Sequence, residues 1–173
     1  MSRQSVYDAF ARKLAASMLV HCITAQAIEK VEEHIADALE KGAKVAVGGK
    51  RDAKGGLFFQ PTILTGVTTA MKVAREETFG PVAPLFKFET EEQVIEMANN
   101  TEFGLASYFY SKDVSKIFRV AEELEYGMVG VNTGLISTEV APFGGIKQSG
   151  QGREGSKYGI EDYIEIKYLC LSI

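Results

Sequence analysis

Residues 82–132, "VAPLFKFETEEQVIEMANNTEFGLASYFYSKDVSKIFRVAEELEYGMVGVN", decide the fold class. Their patterning predicts three strands separated by two helices: strands at 82–88, 105–110 and 128–132, and helices at 91–99 and 114–126. Strands that alternate with helices need crossover connections, and such connections join parallel strands in a right-handed sense. The stretch therefore predicts an α/β fold built on a parallel sheet.

Capping residues mark the ends of these two helices. Thr90 and Gln93 have the spacing of a capping box ahead of the first helix. Asp113 is placed to cap the second helix, and Gly127 is placed to end it. The helix boundaries are thus predicted from side-chain chemistry as well as from periodicity.

The region before residue 82 predicts two more helices and further extended segments. Apolar residues recur at helical spacing over 5–20 and over 25–41, and Gly42 follows the second of these runs. Residues 43–49 predict a short strand. Residues 57–64 also look extended, and Pro61 within them predicts an edge strand or an irregular stretch.

Length and composition bound the class of protein. The chain has 173 residues, a net charge of −4 and a sequence pI of about 5.3, which suits one soluble globular domain. A mildly acidic chain lacks the basic character of nucleic-acid binders. No apolar run approaches the roughly 20 residues that cross a bilayer, and the first residues lack a signal-peptide core. We therefore expect a cytoplasmic protein with no nucleic-acid or membrane partner.

The cysteines and histidines have no metal-binding or disulfide pattern. Cys22 and Cys170 are far apart and form no C-x-x-C motif, so we expect two reduced thiols rather than a disulfide framework. His21 and His34 lack the spacing of zinc ligands, so we expect no metal site.

A glycine motif lies in the long irregular region 133–160, where Gly150, Gly152 and Gly155 match G-x-G-x-x-G. A dinucleotide-binding loop of this kind follows a strand directly, opens a helix and has an acidic residue about 20 positions later. Here the preceding strand is predicted to end near Asn132, and only 18 of the 173 residues follow Gly155. The context favours a tight structural loop over a cofactor loop.

The segment "REETFGPV" (75–82) has two interpretations. It is either a charged helix end followed by a turn, or a carboxylate and a ring at the rim of a pocket. In the second case Glu76 or Glu77 would accept hydrogen bonds from sugar hydroxyls, and the aromatic ring would stack on a flat heterocycle.

The loop that follows the last predicted strand also carries candidate binding groups. Phe143 lies between a proline and two glycines and is either pocket lining or a core anchor. Ser137 has a hydroxyl donor. Because no histidine lies near it in the sequence, it does not indicate a serine-hydrolase triad. Lys147 and Arg153 are either anion ligands or solvated side chains.

At this point the chain resembles a known family. "EETFGPV", "NNTEFGLASYFYSKD", "EYGMVGVNTG" and "APFGGIKQSGQGREGSKYGIEDYIEIKY" succeed one another as in the C-terminal part of the NAD(P)-dependent aldehyde dehydrogenases. "GLISTEVAPFGGIKQSG" and "EGSKYGIEDYIEIKYLC" narrow the resemblance to bacterial succinate-semialdehyde dehydrogenases. The resemblance covers roughly residues 25–173 without visible gaps, and residues 1–20 as a separate piece.

The resemblance implies a division into three parts. Residues 1–24 would be an N-terminal helix with a shortened connection, 25–161 a portion of the α/β catalytic domain, and 162–173 an oligomerisation strand. The last segment also alternates apolar and polar residues imperfectly, as a long strand would. The Rossmann-like cofactor domain of the family would be absent, and the terminal strand would make the protein a homo-oligomer.

The resemblance also implies roles for four side chains. Glu77 would hold the nicotinamide ribose of NADP or NAD, and Phe79 would lie beside the nicotinamide. Ser137 would help to bind the carboxylate of succinate semialdehyde, and Phe143 would line the substrate tunnel.

Several parts of the family's machinery have no counterpart here. The Gly-Gln-x-Cys segment with the nucleophile is missing, and neither Cys22 nor Cys170 matches it. The general-base glutamate, the cofactor-anchoring lysine and the substrate-binding arginines are missing too, and "LVHCIT" (19–24) replaces a longer connection. We expect no catalytic residue and no activity from this truncated chain alone. The alternatives are a non-catalytic assembly module and a partner of a separately encoded cofactor domain.

Overall fold

A computed structural model describes residues 2–3, 6–15, 22 and 24–173 of the chain. They form two compact units, unit 1 (Met1–Thr90) and unit 2 (Glu91–Ile173). None of the helices in the described ranges is long and apolar enough to cross a membrane. The three-part division implied by the resemblance stays a prediction.

Unit 1 is built on a small mixed sheet. Its elements in chain order are β1 (Ser2–Arg3), α1 (Tyr7–Ala15), α2 (Ala25–Glu40), β2 (Lys44–Val47), β3 (Thr62–Thr65), β4 (Val82–Pro84) and β5 (Lys87–Phe88). The central strand β3 pairs with β2 in antiparallel and with β4 in parallel orientation. A separate two-stranded parallel pair joins β1 to β5.

The helix α2 follows the prediction from the sequence closely. The Thr24 hydroxyl accepts a hydrogen bond from the Ala27 N–H at 3.1 Å, which satisfies one of the free amides of the first turn. At the other end Gly42 has a φ of +95°, a conformation that favours glycine and stops the helix. The predicted helix at 5–20 is observed as α1, and residues 16–20 lie outside the described part.

Adjacent residues of β3 supply two layers of core because successive side chains of a strand face opposite sides of the sheet. Leu64 packs in a cluster with the apolar face of α2, which includes Ile28 and Ile35. Ile63 packs in a second cluster with Tyr7 of α1. Unit 1 is therefore a sheet with one helix on each face.

Of the two alternatives for Pro61, the irregular stretch is observed, because residues 60 and 61 have no regular secondary structure, and the edge strand is not. Pro61 directly precedes β3, which is the middle strand of its sheet. A proline at this point removes no hydrogen bond from the sheet, because pairing begins one residue later. There the Thr62 N–H donates to the Pro81 carbonyl at 2.8 Å.

Unit 2 contains short strands and two helices. Its elements are α3 (Glu91–Asn99), β6 (Phe103–Gly104), β7 (Ala106–Phe109), α4 (Val114–Glu123), β8 (Met128–Val131) and β9 (Ile146–Lys147). β7 and β8 are parallel, whereas β6 and β9 are antiparallel. The single parallel sheet expected over 82–132 is therefore corrected to several small sheets of mixed direction, and the α/β class is retained.

The helix α4 ends earlier than the expected position before Gly127. The side-chain amide of Asn99 donates to the Glu123 carbonyl at 2.8 Å and accepts from the Glu125 N–H at 2.9 Å. These bonds satisfy backbone groups at the helix end and release the chain from the helix at Leu124, whose backbone is extended.

The C-terminal segment differs from its prediction as a long strand. A 3-10 turn spans Glu161–Tyr163, and residues 164–173 have no regular structure in the single chain. The backbone at Ile164 is extended, with φ −125° and ψ 151°, but no described strand of the chain pairs with this segment. Its side chains are exposed, so an oligomerisation strand stays a prediction.

Candidate functional site

The segment 76–81 of unit 1 has a conformation set by its two ends. A 3-10 turn at Lys72–Ala74 precedes it, and the Glu76 N–H donates to the Lys72 carbonyl at 2.8 Å. At the other end Pro81 leads into β4. The chain between them is irregular and crosses the face of α2 that carries His34.

His34 of α2 holds this segment in place through two hydrogen bonds. The imidazole is fully buried, and its Nδ1 lies 2.6 Å from the Oγ1 of Thr78. Its Nε2 lies 3.4 Å from a carboxylate oxygen of Glu76. A buried polar ring needs such partners because leaving one of its nitrogens unbonded costs free energy. The two bonds therefore fix alternate residues of the segment to the helix.

Glu77 and Phe79, the residues that the resemblance assigned to the cofactor, lie between and beyond these anchors. Both side chains are exposed, and 73% of Phe79 is accessible to solvent. An exposed phenyl ring next to an exposed carboxylate is available for a ligand with a flat ring and hydroxyl groups. The two neighbouring glutamates therefore differ: the Glu76 carboxylate contacts Lys30 and His34 of α2, whereas the Glu77 carboxylate faces solvent.

Electrostatic interactions also stabilise the contact of Glu76 with α2. Hydrogen bonds from His34 and from Lys30 hold the pKa of the Glu76 carboxyl below its ordinary value. The Lys30 ammonium lies 3.4 Å from the same carboxylate oxygen. Glu76 is therefore ionised at neutral pH and is engaged by two residues of α2.

Ser137 and Phe143 belong to unit 2. Ser137 is exposed in the stretch after β8 and has no regular secondary structure. Phe143 is half-buried, and its backbone forms two hydrogen bonds with Glu154, of 2.9 and 2.7 Å. Phe143 is therefore held in place by a bridge to the glycine-rich loop, while the Ser137 hydroxyl is free to meet a ligand.

The G-x-G-x-x-G loop lies in an irregular stretch between β9 and the 3-10 turn at Glu161–Tyr163. Two of its amides have partners: the Arg153 N–H donates to the Asp162 carboxylate at 3.2 Å, and the Glu154 N–H donates to the Phe143 carbonyl at 2.7 Å. The Arg153 guanidinium donates to the carbonyls of Gly145 and Gly152 at 2.8 and 2.6 Å. A phosphate-binding loop offers its amides at the start of a helix, and the described residues after Gly155 form a 3-10 turn but begin no α-helix.

The two thiols differ in environment. Cys22 is buried, and desolvation raises the pKa of its thiol. A raised pKa lowers the fraction of thiolate, which is the form that attacks an aldehyde. Cys170 is exposed in the C-terminal segment, without regular structure around it. The environment of Cys22 therefore does not activate a nucleophile.

His34 and Lys30 are the site residues that sequence reasoning missed. The sequence interpretation considered His34 only as a metal ligand. Among the described residues no group of three or more potential metal-ligating side chains is found. The periodicity of α2 contained the signal, because the buried positions 31, 34, 35 and 38 have helical spacing.

The family of the chain follows from comparison with known proteins. A model of the aldehyde dehydrogenase family matches residues 4–169. The chain belongs to this family. Aldehyde dehydrogenase relatives named for semialdehyde substrates are 59–61% identical to it.

Three relatives illustrate the extent of the match. A succinate-semialdehyde dehydrogenase [NADP(+)] of Escherichia coli K12 is 59% identical over 99% of this chain. A 3-sulfolactaldehyde dehydrogenase of Pseudomonas putida is 60% identical over 98%. The crystal structure of succinate-semialdehyde dehydrogenase from Burkholderia pseudomallei superposes with a TM-score of 0.93, at 59% identity over 99% of the chain. In each case the chain spans 38% of the relative's length.

The matched region is longer in the relatives than in this chain. The alignment with the Escherichia coli enzyme covers 185 positions, 12 more than the 173 residues here. That enzyme therefore contains residues inside the matched region that this chain lacks. Their assignment to the connection at 19–24 stays a prediction, and most of that stretch lies outside the described residues.

A more distant relative was solved with a cofactor. A betaine aldehyde dehydrogenase from Staphylococcus aureus, crystallised in complex with NAD+, superposes with a TM-score of 0.85 at 37% identity. The match covers 93% of this chain and 35% of that enzyme.

Proposed function

We propose that this chain is the C-terminal part of an NAD(P)-dependent semialdehyde dehydrogenase and that Glu77 and Phe79 bind the nicotinamide end of the cofactor. The observation that carries the proposal is the exposed pair on a segment that His34 holds in place. The order of the motifs from "EETFGPV" to "EDYIEIKY" supports the C-terminal placement.

The exposed pair fits the chemistry of a nicotinamide nucleoside. The Glu77 carboxylate is an acceptor for the ribose hydroxyls, and the Phe79 ring gives an apolar surface to one side of a flat heterocycle. When bound, NAD(P)+ supplies the acceptor for the hydride that leaves the aldehyde carbon. The contribution of Glu77 and Phe79 is to restrict the orientations of the bound ring, which raises the rate by pre-ordering the reactants.

The substrate class follows from the relatives' names. Succinate semialdehyde, glutarate semialdehyde and 3-sulfolactaldehyde each carry an anionic carboxylate or sulfonate away from the aldehyde. We propose that Ser137 donates a hydrogen bond to this anionic group and that Phe143 lines the path of the carbon chain. Succinate semialdehyde is the substrate that the motifs around Ser137 favour.

The covalent step requires a thiolate that this chain does not offer. Aldehyde oxidation by the family route begins with attack of a cysteine, and Cys22 is buried with a raised pKa. The 173 residues alone therefore bind at most part of the substrate and cofactor. We propose that oxidation takes place only when the remaining parts of the enzyme are supplied.

A complementation experiment tests the proposal. The chain is mixed, or co-expressed, with the upstream remainder of the Escherichia coli relative, and NADPH formation from succinate semialdehyde is followed. We expect no NADPH from the chain alone and NADPH from the mixture. In the mixture, Glu77→Gln raises the KM for NADP+, whereas Glu96→Gln, an exposed neutralisation elsewhere, leaves it unchanged. NADPH formation by the chain alone, or complementation by a downstream remainder, contradicts the proposal.

The exposed C-terminal segment favours a second function, assembly with another subunit. Ile166 is 96% exposed and Leu169 80%, and an apolar segment of this kind is suited to pair with the edge of a sheet. In size-exclusion chromatography we expect an oligomer that Ile166→Pro disrupts, because proline removes a backbone donor. Ile166→Thr, which keeps the donor and the β-branched shape, preserves it. A monomer in all three cases argues against assembly.

A further inference from the structure

One face of α2 contacts segment 76–80 through three different interactions. Lys30 forms the ion pair with Glu76, and His34 binds Thr78. Between them, Val31 fills the space beside Gly80, so that a Cβ on Gly80 would overlap its Cγ2. Lys30 and Val31 lie four and three positions before His34, a spacing that puts each of them beside His34 on the helix surface, so the three interactions act on one short stretch of chain.

The partners of His34 define its hydrogen bonding. A carboxylate oxygen only accepts, so the Nε2 that faces Glu76 carries a proton. In the tautomer with a single proton on Nε2, the Nδ1 is an acceptor, and the Thr78 hydroxyl, 2.6 Å away, donates to it. This assignment leaves both nitrogens of a fully buried ring satisfied.

We infer that His34 is a positioning residue that presents Glu77 and Phe79 by holding Thr78. With Thr78 and Glu76 bonded to the imidazole, the side chains of the neighbouring residues in an irregular stretch remain exposed. This inference rests on the proposed function of Glu77 and Phe79. The His34 side chain is fully buried, so we infer that it acts through the segment and not by contact with a ligand.

The energetic consequence is a pre-ordered binding surface. A free loop would lose conformational entropy when it orders around a cofactor, and that loss lowers affinity. Anchors on alternate residues fix the backbone before the ligand arrives. Loss of the anchor therefore weakens cofactor binding while leaving the recognition groups unchanged.

Hydrogen exchange on the 173-residue chain tests the anchoring without reference to activity. The reporters are the amides of Gly80 and Val82, which donate to Thr78 and Gly80 carbonyls at 2.8 Å. Thr78→Val, which leaves the buried Nδ1 unpaired, is expected to speed their exchange about tenfold, and Thr78→Ser is expected to restore slow exchange. The Ala43 amide, bonded to the Ala38 carbonyl at 2.9 Å, serves as the internal control.

Variants at position 34 distinguish the effect of its hydrogen bond to Thr78 from that of its hydrogen bond to Glu76. His34→Asn places an amide near the position of Nδ1 and is expected to slow the exchange of Gly80 relative to His34→Gln, whose amide reaches the position of Nε2 instead. Ile28→Val, a core truncation on the same helix, controls for global destabilisation, because it raises exchange of Gly80 and Ala43 together. If Thr78→Val speeds hydrogen exchange of the Gly80 and Ala43 amides equally, His34 does not hold the segment locally and the inference is overturned.

Kinetics of the complemented enzyme then test the functional part. We expect Thr78→Val to raise the KM for NADP+ by about tenfold without changing the KM for the aldehyde, and Thr78→Ser to restore it. A purely structural role would change both constants or only the yield of folded protein. If Thr78→Val speeds the exchange of the Gly80 amide but leaves the KM for NADP+ unchanged, the contact of His34 with Thr78 does hold the segment. The inference that this contact positions Glu77 and Phe79 for the cofactor is then wrong. Absence of activity in the wild-type mixture counts against the proposed function and leaves the exchange result to decide the anchor.

Discussion

Val31 occupies the space that any side chain at position 80 would need, because a Cβ built on Gly80 overlaps the Cγ2 of Val31. Val31 is fully buried on α2, and its neighbours in the core leave it little freedom to move. We predict that Gly80→Ala destabilises unit 1 by about 1–3 kcal/mol through overpacking. Urea unfolding of the chain measures this loss.

Two controls accompany the substitution of Gly80. Gly134→Ala adds the same methyl where nothing lies within 4 Å and is expected to be close to neutral. In the double variant with Val31→Ala, the cost of Gly80→Ala is expected to fall because the clashing methyls are removed. A cost of Gly80→Ala that is the same with and without Val31 contradicts the steric explanation.

The hydroxyl of Tyr7 ties α1 to the sheet of unit 1. It donates to the Leu85 carbonyl at 2.8 Å and accepts from the Gly66 N–H at 3.0 Å, and the side chain is 2% exposed. We predict that Tyr7→Phe lowers the free energy of unfolding by about 1–3 kcal/mol, because two backbone groups lose their partner. The same change at Tyr163, which is 83% exposed, is expected to have no measurable effect in the same urea titration.

Glu91 gives unit 2 a stability that depends on pH. Its carboxylate accepts hydrogen bonds from Arg119 at 2.6 Å and lies 2.9 Å from the Lys116 ammonium, and these partners lower its pKa from 4.5 to about 2. A lowered pKa in the folded state means that the contribution is fully present above 4.5 and is lost as the pH falls toward 2. Glu91→Gln removes this contribution.

Unfolding titrations at two pH values measure the effect of Glu91. We predict that Glu91→Gln is less stable than the wild type above pH 4.5 and that the difference narrows near pH 2. Glu96→Gln on the same helix provides the matched neutralisation. A difference between wild type and Glu91→Gln that does not change with pH argues against a role for the ionised carboxylate.

The C-terminal segment 164–173 is exposed in the single chain. Its apolar residues are exposed, with Ile166 at 96%, and the backbone of 164–173 forms no described ladder. We predict that deletion of 164–173 changes the free energy of unfolding of the monomer by less than about 0.5 kcal/mol. Thermal unfolding at low protein concentration checks this. A large loss at that concentration would mean that the segment packs on its own chain.

Local signals in the sequence predicted the helices better than the sheets. Thr24 and Gly42 fix the ends of α2 by contacts within a few residues, so its range was predictable. The partners of a strand lie far along the chain, and β3 pairs with both β2 and β4. No local feature near Pro61 shows that the strand after it is central.

The same distinction holds for the candidate site. The resemblance assigned Glu77 and Phe79 to the cofactor through a short motif, and this assignment stays a prediction. The contact of His34 was not predicted, because its partner Thr78 lies 44 residues later in the chain. Burial of a histidine on a helix is visible in the periodicity, but its partner is visible only in three dimensions.

The alternation along segment 76–79 has a consequence for how its length can vary. Glu76 and Thr78 face the histidine, while Glu77 and Phe79 are exposed. Because His34 bonds to both Glu76 and Thr78, the single residue between them sets the spacing of the two contacts, and an insertion there would break at least one of them. The segment therefore tolerates changes of length outside the stretch from Glu76 to Thr78 better than inside it, a difference that a library of loop variants would reveal as loss of cofactor binding.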